Sequence, residues 1–312
     1  MFTNKEYVLE VFKEKSFSKA AKNLYISQPS LSASIKRIET KISAPLFDRS
    51  SNPITPTEIG MQYIRNALEI SKIEDGFLNY VNDNLNILKG EIKIGGSSLF
   101  SSYILPPMIT RFNKMYPHTD FKIYEDKTKN LMTMLLDGDL DIVIDNAIIV
   151  DDKIDSFFYT SETVLLAVPK DLPINDELAE YQLSFEDIKE NLHTKDDLPC
   201  ASLDSFKDEP FILLKNENDT GKKARQLFKQ HKFTPNVLFE LDQQATAYNI
   251  SCSGLGISFV SDTLIKKTRA KDNVIFYKLS DKEIKRNIYF YVKNNRYLSN
   301  ACRRFIDSSI EN

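Results

Sequence analysis

Cysteine is scarce in this sequence. Cys200, Cys252 and Cys302 are the three present, widely spaced and with no CxxC pair. That excludes a disulfide framework or a zinc ribbon and suits a reducing, cytoplasmic setting. Histidine is equally rare: His118, His193 and His231 lie far apart and show no metal-binding spacing. No run of 18 apolar residues occurs, which excludes a membrane-spanning helix. The opening MFTNKEYVLE has no basic n-region, apolar h-region or small-residue cleavage site, so no secretory signal is read there. An excess of positive charge is also missing, with 41 Lys and Arg against 44 Asp and Glu and a net charge of −3. The chain as a whole is therefore not a general polyanion binder. Neither a P-loop nor GxGxxG occurs, so nucleotide hydrolysis and dinucleotide binding have no support. Cys252, in Ser251-Cys252-Ser253-Gly254, has no GxSxG pattern and reads as a buried structural residue. Asp137, Asp139 and Asp141 alternate like the start of a calcium loop. The sixth position is Ile142 rather than glycine and no acid stands at the twelfth, so they read as solvated and capping carboxylates. No metal or cofactor is expected.

What is present is an ordinary globular composition, 42% hydrophobic and 27% charged, over 312 residues. That length suggests two domains and suffices for a core without covalent staples. Charge is unevenly placed. Residues 1–58 hold nine basic and six acidic side chains, a surplus of three, so the remainder carries −6. A basic head on an acidic body is the asymmetry of a protein with one polyanion-binding end.

The pattern predicts a short helix over 3–15 capped by Thr3, with Tyr7, Val8, Val11 and Phe12 on one face. A second helix follows over Lys19–Leu24, capped by Ser18, then a turn at Tyr25-Ile26. Ser27 caps a third helix with Pro29 in its first turn, where a missing N–H costs nothing. Leu31, Ile35, Ile38 and Ile42 form its inward stripe, and the outward face is small, polar and basic. Residues 43–56, with three prolines, read as a hairpin-like wing. A long helix is predicted over 57–88, where Tyr63, Ile70 and Phe77 repeat every seven residues, joined by Ile59, Ile73, Tyr80, Val81 and Leu88. So long an apolar stripe needs a partner, most simply the same helix of a second chain.

From Gly90 strands and helices alternate. Strands are predicted at 91–95, 120–125 and 140–144 with helices at 99–115 and 130–136 between them, a βαβαβ unit with a parallel sheet. Strands at 163–169, 211–214, 236–240 and 256–260, with helices at 222–231 and 243–251, form a second lobe. Strands at 273–278 and 287–292 and a helix at 297–310 close the chain. A polar segment, 171–209, interrupts the second lobe and receives no function. Two such lobes bind ligands at the C-terminal ends of their strands.

Residues 16–60 carry a dense set of motifs: Ser16-Phe17 before Ala20-Ala21 and Leu24, Ile26-Ser27-Gln28-Pro29-Ser30, Ile35-Lys36-Arg37-Ile38-Glu39, Pro45-Leu46-Phe47-Asp48-Arg49, and Thr55-Pro56-Thr57 before Gly60. With these the sequence resembles the LysR-type transcriptional regulators. Gly90–Gly95, Gly138–Asp141 and Gly254–Ile257 extend the likeness more weakly. Ser43 stands where that family commonly has glycine. The resemblance implies an α/β protein with an all-α, winged N-terminal domain: a winged helix-turn-helix, a long linker helix, and a two-lobed effector domain like periplasmic solute-binding proteins. The expected domains are 1–58 for DNA, 59–88 for linkage and dimerisation, and 89–312 for effector. Within the last, lobe I is expected over 89–161 and 270–312 and lobe II over 162–269.

Small polar residues at the start of a helix can approach base edges, and flanking cations hold phosphates. By themselves these residues also read as a solvated helix face; the family resemblance implies Ser27, Gln28, Pro29, Ser32 and Ala33 at the bases, with Lys36, Arg37 and Arg49 at phosphates. With nine glycines in the chain, the pair Gly95-Gly96 marks a special backbone before Ser97-Ser98 opens a helix whose N-terminus can seat a carboxylate. The resemblance adds Thr128, Asn146 and Thr220 across the cleft, in acidic surroundings with little arginine. It also implies double-stranded promoter DNA, a small-molecule effector, RNA polymerase and self-association as a homodimer or homotetramer, and no membrane partner. A small-molecule binder or enzyme with the N-terminal helices as a mere appendage is the competing reading. An appendage does not need a capped recognition helix with a basic outer face and a wing, so a regulator rather than an enzyme is expected.

Overall fold

A computed structural model describes residues 1–85, 90–294 and 296–310. It divides into two compact units, Met1–Leu85 and Asn86–Asn312.

The first unit begins with α1 (Lys5–Glu14), α2 (Phe17–Asn23) and α3 (Gln28–Ile42). Two of the expected caps fall elsewhere. Asn4, not Thr3, precedes α1, and its side chain makes no capping bond. Ser16, not Ser18, caps α2 by accepting the Lys19 N–H at 3.4 Å. The helix therefore starts at Phe17, whose ring enters the core. Ser27 caps α3 as expected, accepting the Ser30 N–H. Ser43 ends α3 with φ +57°, the left-handed conformation that glycine adopts without penalty. The wing is a minimal antiparallel pair, β1 (Phe47–Asp48) and β2 (Thr55–Pro56).

The long helix α4 (Glu58–Asn84) follows, capped by Thr57, whose Oγ1 accepts the Gly60 N–H at 2.9 Å and donates to the Pro45 carbonyl. At 27 residues it is about 40 Å long. Its first turns complete the core: Tyr63, Ile64 and Ala67 pack with Val8, Val11, Ala20, Leu31, Ile35 and Phe47. Tyr63, expected on the partner-seeking stripe, instead stacks on Phe2 inside its own unit. Further along, Ile73, Phe77 and Leu78 are exposed. Leu88, also counted on that stripe, lies outside the described residues.

The second unit opens with β3 (Gly90–Gly96). A helical run from Ser98 passes through one π turn, Phe100–Ile104, into α5 (Leu105–Met115). The π step has a local cause: Pro106 and Pro107 cannot donate to the carbonyls four residues back, and the Leu105 N–H reaches Phe100 instead. Then come β4 (Thr119–Glu125), α6 (Thr128–Asp137) and β5 (Ile142–Asp145), with β3 parallel to both neighbours. All four residues of β5 are buried, as a strand covered on both faces requires.

The strand β6 (Ile154–Pro169) is nine residues longer at its start than the sequence pattern suggests. It runs from the first lobe into the second. The segment 171–209 packs as α7 (Ile174–Glu177), β7 (Gln182–Leu183), α8 (Phe185–Lys189) and short 3-10 turns, burying Ile174, Leu178, Ile188, Leu203 and Phe206. The second lobe is completed by β8 (Pro210–Leu214), α9 (Asp219–Gln230), β9 (Asn236–Leu241), α10 (Gln244–Cys252), β10 (Ile257–Ser261), α11 (Asp262–Lys267) and β11 (Val274–Tyr277). Finally β12 (Lys285–Lys293) and α12 (Asn300–Ile310) return to the first lobe.

The strands run in the order β4-β3-β5-β12-β6-β10-β8-β9, with β11 beside the second half of β6 and β7 beside β11. β12 pairs with Ile154–Thr163, and β10 with Val164–Ala167. Because β11 pairs with β6 and β7, residues 274–277 belong to the second lobe. The return to the first lobe comes near Lys285, not at the expected residue 270. Gly95 and Gly96 prove special through packing: a Cβ on Gly95 would stand 2.7 Å from Leu140, and one on Gly96 2.9 Å from Phe100.

Candidate functional site

Two surfaces carry the candidate residues, one in each unit. In the first, Leu31, Ile35 and Ile38 turn α3 toward the core, which leaves Gln28, Pro29, Ala33, Lys36 and Arg37 exposed and Ser32 half-buried. Ser27 is exposed at the helix start. Gln28 is not a loose end: the Ser18 hydroxyl, from the first turn of α2, donates to its Oε1 at 3.3 Å. Arg37 lies along its own helix, with Nε near the Ala33 carbonyl and Nη2 near the Ser34 hydroxyl. Arg49 stands on the hairpin, away from α3 in sequence, and is paired with Glu39 at 3.1 Å. Its cationic head also lies 4.9 Å from the Phe17 ring centroid. It therefore has a structural duty that the sequence reading did not assign.

In the second unit, Ser97, Ser98, Thr128, Asn146 and Thr220 line a single cavity of about 260 Å³. Four helices begin on it: the run from Ser98, then α6, α9 and α10, which follow β3, β4, β8 and β9. This is the outer end of the strands, where open α/β sheets bind ligands. Thr128 Oγ1 donates to Asp145 Oδ2 at 2.9 Å, and the Ala147 N–H donates to Asp145 Oδ1 at 2.8 Å. Burial nevertheless pushes the Asp145 carboxyl up to about 6, because desolvation outweighs those hydrogen bonds.

Behind the cavity sits a charged network that sequence reading missed. Arg286, expected nowhere in this pocket, is 7% exposed. Its Nε donates to Glu162 at 2.5 Å, and its Nη1 donates to Asp219 at 2.8 Å and Thr220 Oγ1 at 2.9 Å. Asn146 donates to the same Glu162 oxygen at 2.8 Å. Gln244 Nε2 donates to Thr220 while its Oε1 accepts from Ser261. So Thr220 and Asn146 are tied to one buried ion pair. Arg286 is the second residue of β12, ahead of the stretch 287–292 that the sequence pattern marks as a strand, which gave no signal of its place.

Other polar groups have structural explanations. Asp141 accepts the Lys93 N–H and pairs with Arg296. His193 is buried against Asp262, and His231 bridges Asp204 and Asp281. None of the three cysteines is in a disulfide. No described helix is long and apolar enough to cross a membrane.

Comparison with known proteins agrees with this geometry. Residues 3–61 match the family model of the bacterial regulatory helix-turn-helix protein, lysR family. Residues 86–312 match that of the LysR substrate binding domain. An uncharacterized HTH-type transcriptional regulator, YcgK of Bacillus subtilis (strain 168), is 29% identical over 98% of this chain and 93% of its own. A probable RuBisCO transcriptional regulator of Gracilaria tenuistipitata var. liui is 26% identical over 95% of this chain and 91% of its own. Among solved structures, a full-length OxyR from Pseudomonas aeruginosa superposes with a TM-score of 0.69 at 20% identity, covering 99% of this chain and 97% of the other. Full-length CbnR complexed with its target DNA gives a TM-score of 0.66 at 16% identity over 100% and 99%. The helix-turn-helix unit, the two-lobed substrate-binding fold and both family models converge: the chain belongs to the LysR family of transcriptional regulators, with a DNA-binding and an effector-binding domain, and is not an enzyme.

Proposed function

We propose that this regulator binds an interrupted inverted repeat in promoter DNA as a homodimer or homotetramer, and that a small molecule in the cleft of the second unit switches it. In this reading residues 1–58 hold the DNA, 59–88 link and dimerise, and 89–312 hold the effector. RNA polymerase is the downstream partner. The observation that carries it is the meeting of Ser97, Ser98, Thr128, Asn146 and Thr220 on one cavity at four helix starts, in a chain whose α3 exposes Gln28, Pro29, Ala33 and Lys36. A helix-turn-helix offers its second helix to the major groove, which is the place this reading gives α3.

The test is a binding titration on the promoter of the protein's own gene against random DNA. Gln28→Ala costs about 1–3 kcal/mol on the specific site and little on random sequence. An unchanged ratio of specific to random affinity removes the base-reading role. In a promoter assay Ser98→Leu abolishes the effector response and leaves effector-free DNA binding intact. A ligand must favour one arrangement of the lobes over the other, or it cannot switch anything.

A further inference from the structure

The cleft of the second unit presents two unlike poles to one small space. We propose that its occupant is a small zwitterion bearing both a carboxylate and a protonated amine, an α-amino acid or a close relative. This rests on the reading of the cavity as the effector site and adds the class of ligand.

One pole favours an anion. Of the helices that begin on the cavity, α6 and α10 have no side-chain cap, whereas α9 is capped by Asn218. Elsewhere in the unit serine caps the helices α8 and α11. Uncapped first-turn N–H groups, with the hydroxyls of Ser97 and Ser98 beside them, are acceptor-seeking and carry the positive end of the helix dipole.

The other pole favours a cation. Six carboxylates line the cavity against three cationic side chains. Two of those cations are already engaged, Arg286 by Glu162 and Asp219, and Lys215 by Asp242. Asp145 is fully desolvated beside Thr128 and has no cation within ion-pair distance among the described residues. Glu162, 2% exposed, holds Arg286 and Asn146 with one oxygen, while its Oε2 has no hydrogen-bond partner among the described residues. Buried carboxylates in excess of their counter-ions are the surroundings in which an ammonium group is held.

Each simpler ligand answers half of this. A dicarboxylate meets a surplus of like charge. A plain amine leaves the uncapped helix starts without an acceptor. Size agrees as well: about 260 Å³ is the volume of about nine water molecules, room for a ligand of about ten non-hydrogen atoms.

The experiment is thermal melting of the full chain with each common L-amino acid in turn. For every amino acid that raises the melting temperature, the amine lacking its carboxylate and the 2-hydroxy acid lacking its ammonium group are titrated beside it. The expected result is a saturable shift with at least one amino acid and a loss of about tenfold or more in affinity for both truncated analogues. Asp145→Asn is expected to weaken the amino acid by a similar factor without weakening the 2-hydroxy acid. The proposal is overturned if no amino acid shifts the melt, or if either truncated analogue binds as well as its parent. Dicarboxylates and neutral sugars are run in parallel. One that shifts the parent but not Ser98→Leu overturns the zwitterion and leaves the cleft site standing. A shift that survives Ser98→Leu overturns the cleft site itself.

Discussion

Arg49 and Glu39 tie the wing to the third helix. Arg49 Nη2 stands 3.1 Å from Glu39 Oε2, and the other Glu39 oxygen accepts the Leu46 N–H at 2.8 Å. The pair is part-exposed, and the guanidinium also rests on Phe17, so each bond is modest but three elements share it. Arg49→Ala should lower the stability of the first unit by about 1 kcal/mol. If Arg49 also meets a phosphate, the same variant lowers the slope of log affinity against log salt by about one. Calorimetric melting and a salt titration separate the two duties: an unchanged slope leaves Arg49 a purely structural residue.

Gly60 explains the end of the Thr55-Pro56-Thr57 motif. A Cβ there would stand 1.8 Å from the Leu46 carbonyl oxygen, a backbone atom that cannot turn aside. Gly60→Ala should destabilise the first unit by about 3 kcal/mol or more and abolish DNA binding. Melting of the second unit should stay at the parent temperature, and a variant that bound DNA normally would show the contact to be slack.

Ser43 offers the opposite change. At φ +57° it ends α3 in a conformation that disfavours a side chain. Ser43→Gly should stabilise the first unit by about 1 kcal/mol without altering DNA affinity. Chemical denaturation provides the measurement, and a loss of stability would mean that unfolded-state entropy outweighs the relief.

Ile73, Phe77 and Leu78 are 72%, 64% and 58% exposed on α4. If this stripe is the dimer seam, Phe77→Asp buries an unpaired charge there and the dimer dissociates. Light scattering at working concentration decides it: an unchanged mass with unchanged DNA affinity removes α4 from the interface.

Two groups make the second unit sensitive to pH in the same direction. Asp145 is held at about 6 by burial, above an unfolded value of about 4. The folded state keeps a proton that the unfolded chain has released, so stability falls by about 3 kcal/mol as pH rises from 4 through 6. His231 feels desolvation, which lowers its pKa, but the hydrogen bonds to Asp204 and Asp281 outweigh it and the net shift is upward. Its contribution is complete below about 6.5 and lost as pH rises through the folded value. The melting temperatures of Asp145→Asn and His231→Gln should vary less than the parent's across the first and second windows respectively, so that the parent-minus-variant difference falls as pH rises from 4 to 8. A parent-to-variant difference that grew with pH would reverse the assignment.

Much of this protein was readable because its determinants are local. The Ser27 cap, Pro29 in the first turn of α3, the Leu31-Ile35-Ile38 stripe and the alternation of strands and helices after Gly90 each act within a few residues, and α3 and the parallel sheets follow. The Gly95-Gly96 pair before a helix start pointed to Ser97 and Ser98, and the family resemblance added Thr128, Asn146 and Thr220; all five line one cavity, because the C-terminal ends of parallel strands lie together in such a sheet. Where sequence reading failed, distance was the reason. Arg286 meets Glu162 across 124 residues and Asp219 across 67, and no periodicity within one strand carries that meeting. Tyr63 and Phe77 share one heptad position, yet packing into the core of the first unit, with Phe2 stacked on its ring, buries the first, while the second is exposed. The second half of β6 is apolar and was legible, whereas its first half, Ile154–Glu162, is mostly exposed or half-buried and is a strand only because β12 returns to pair with it. Sequence alone determined α3, the alternation of strands and helices after Gly90 and the family they build. Tertiary structure decided which charges are buried together, because desolvation depends on neighbours that only the folded chain supplies.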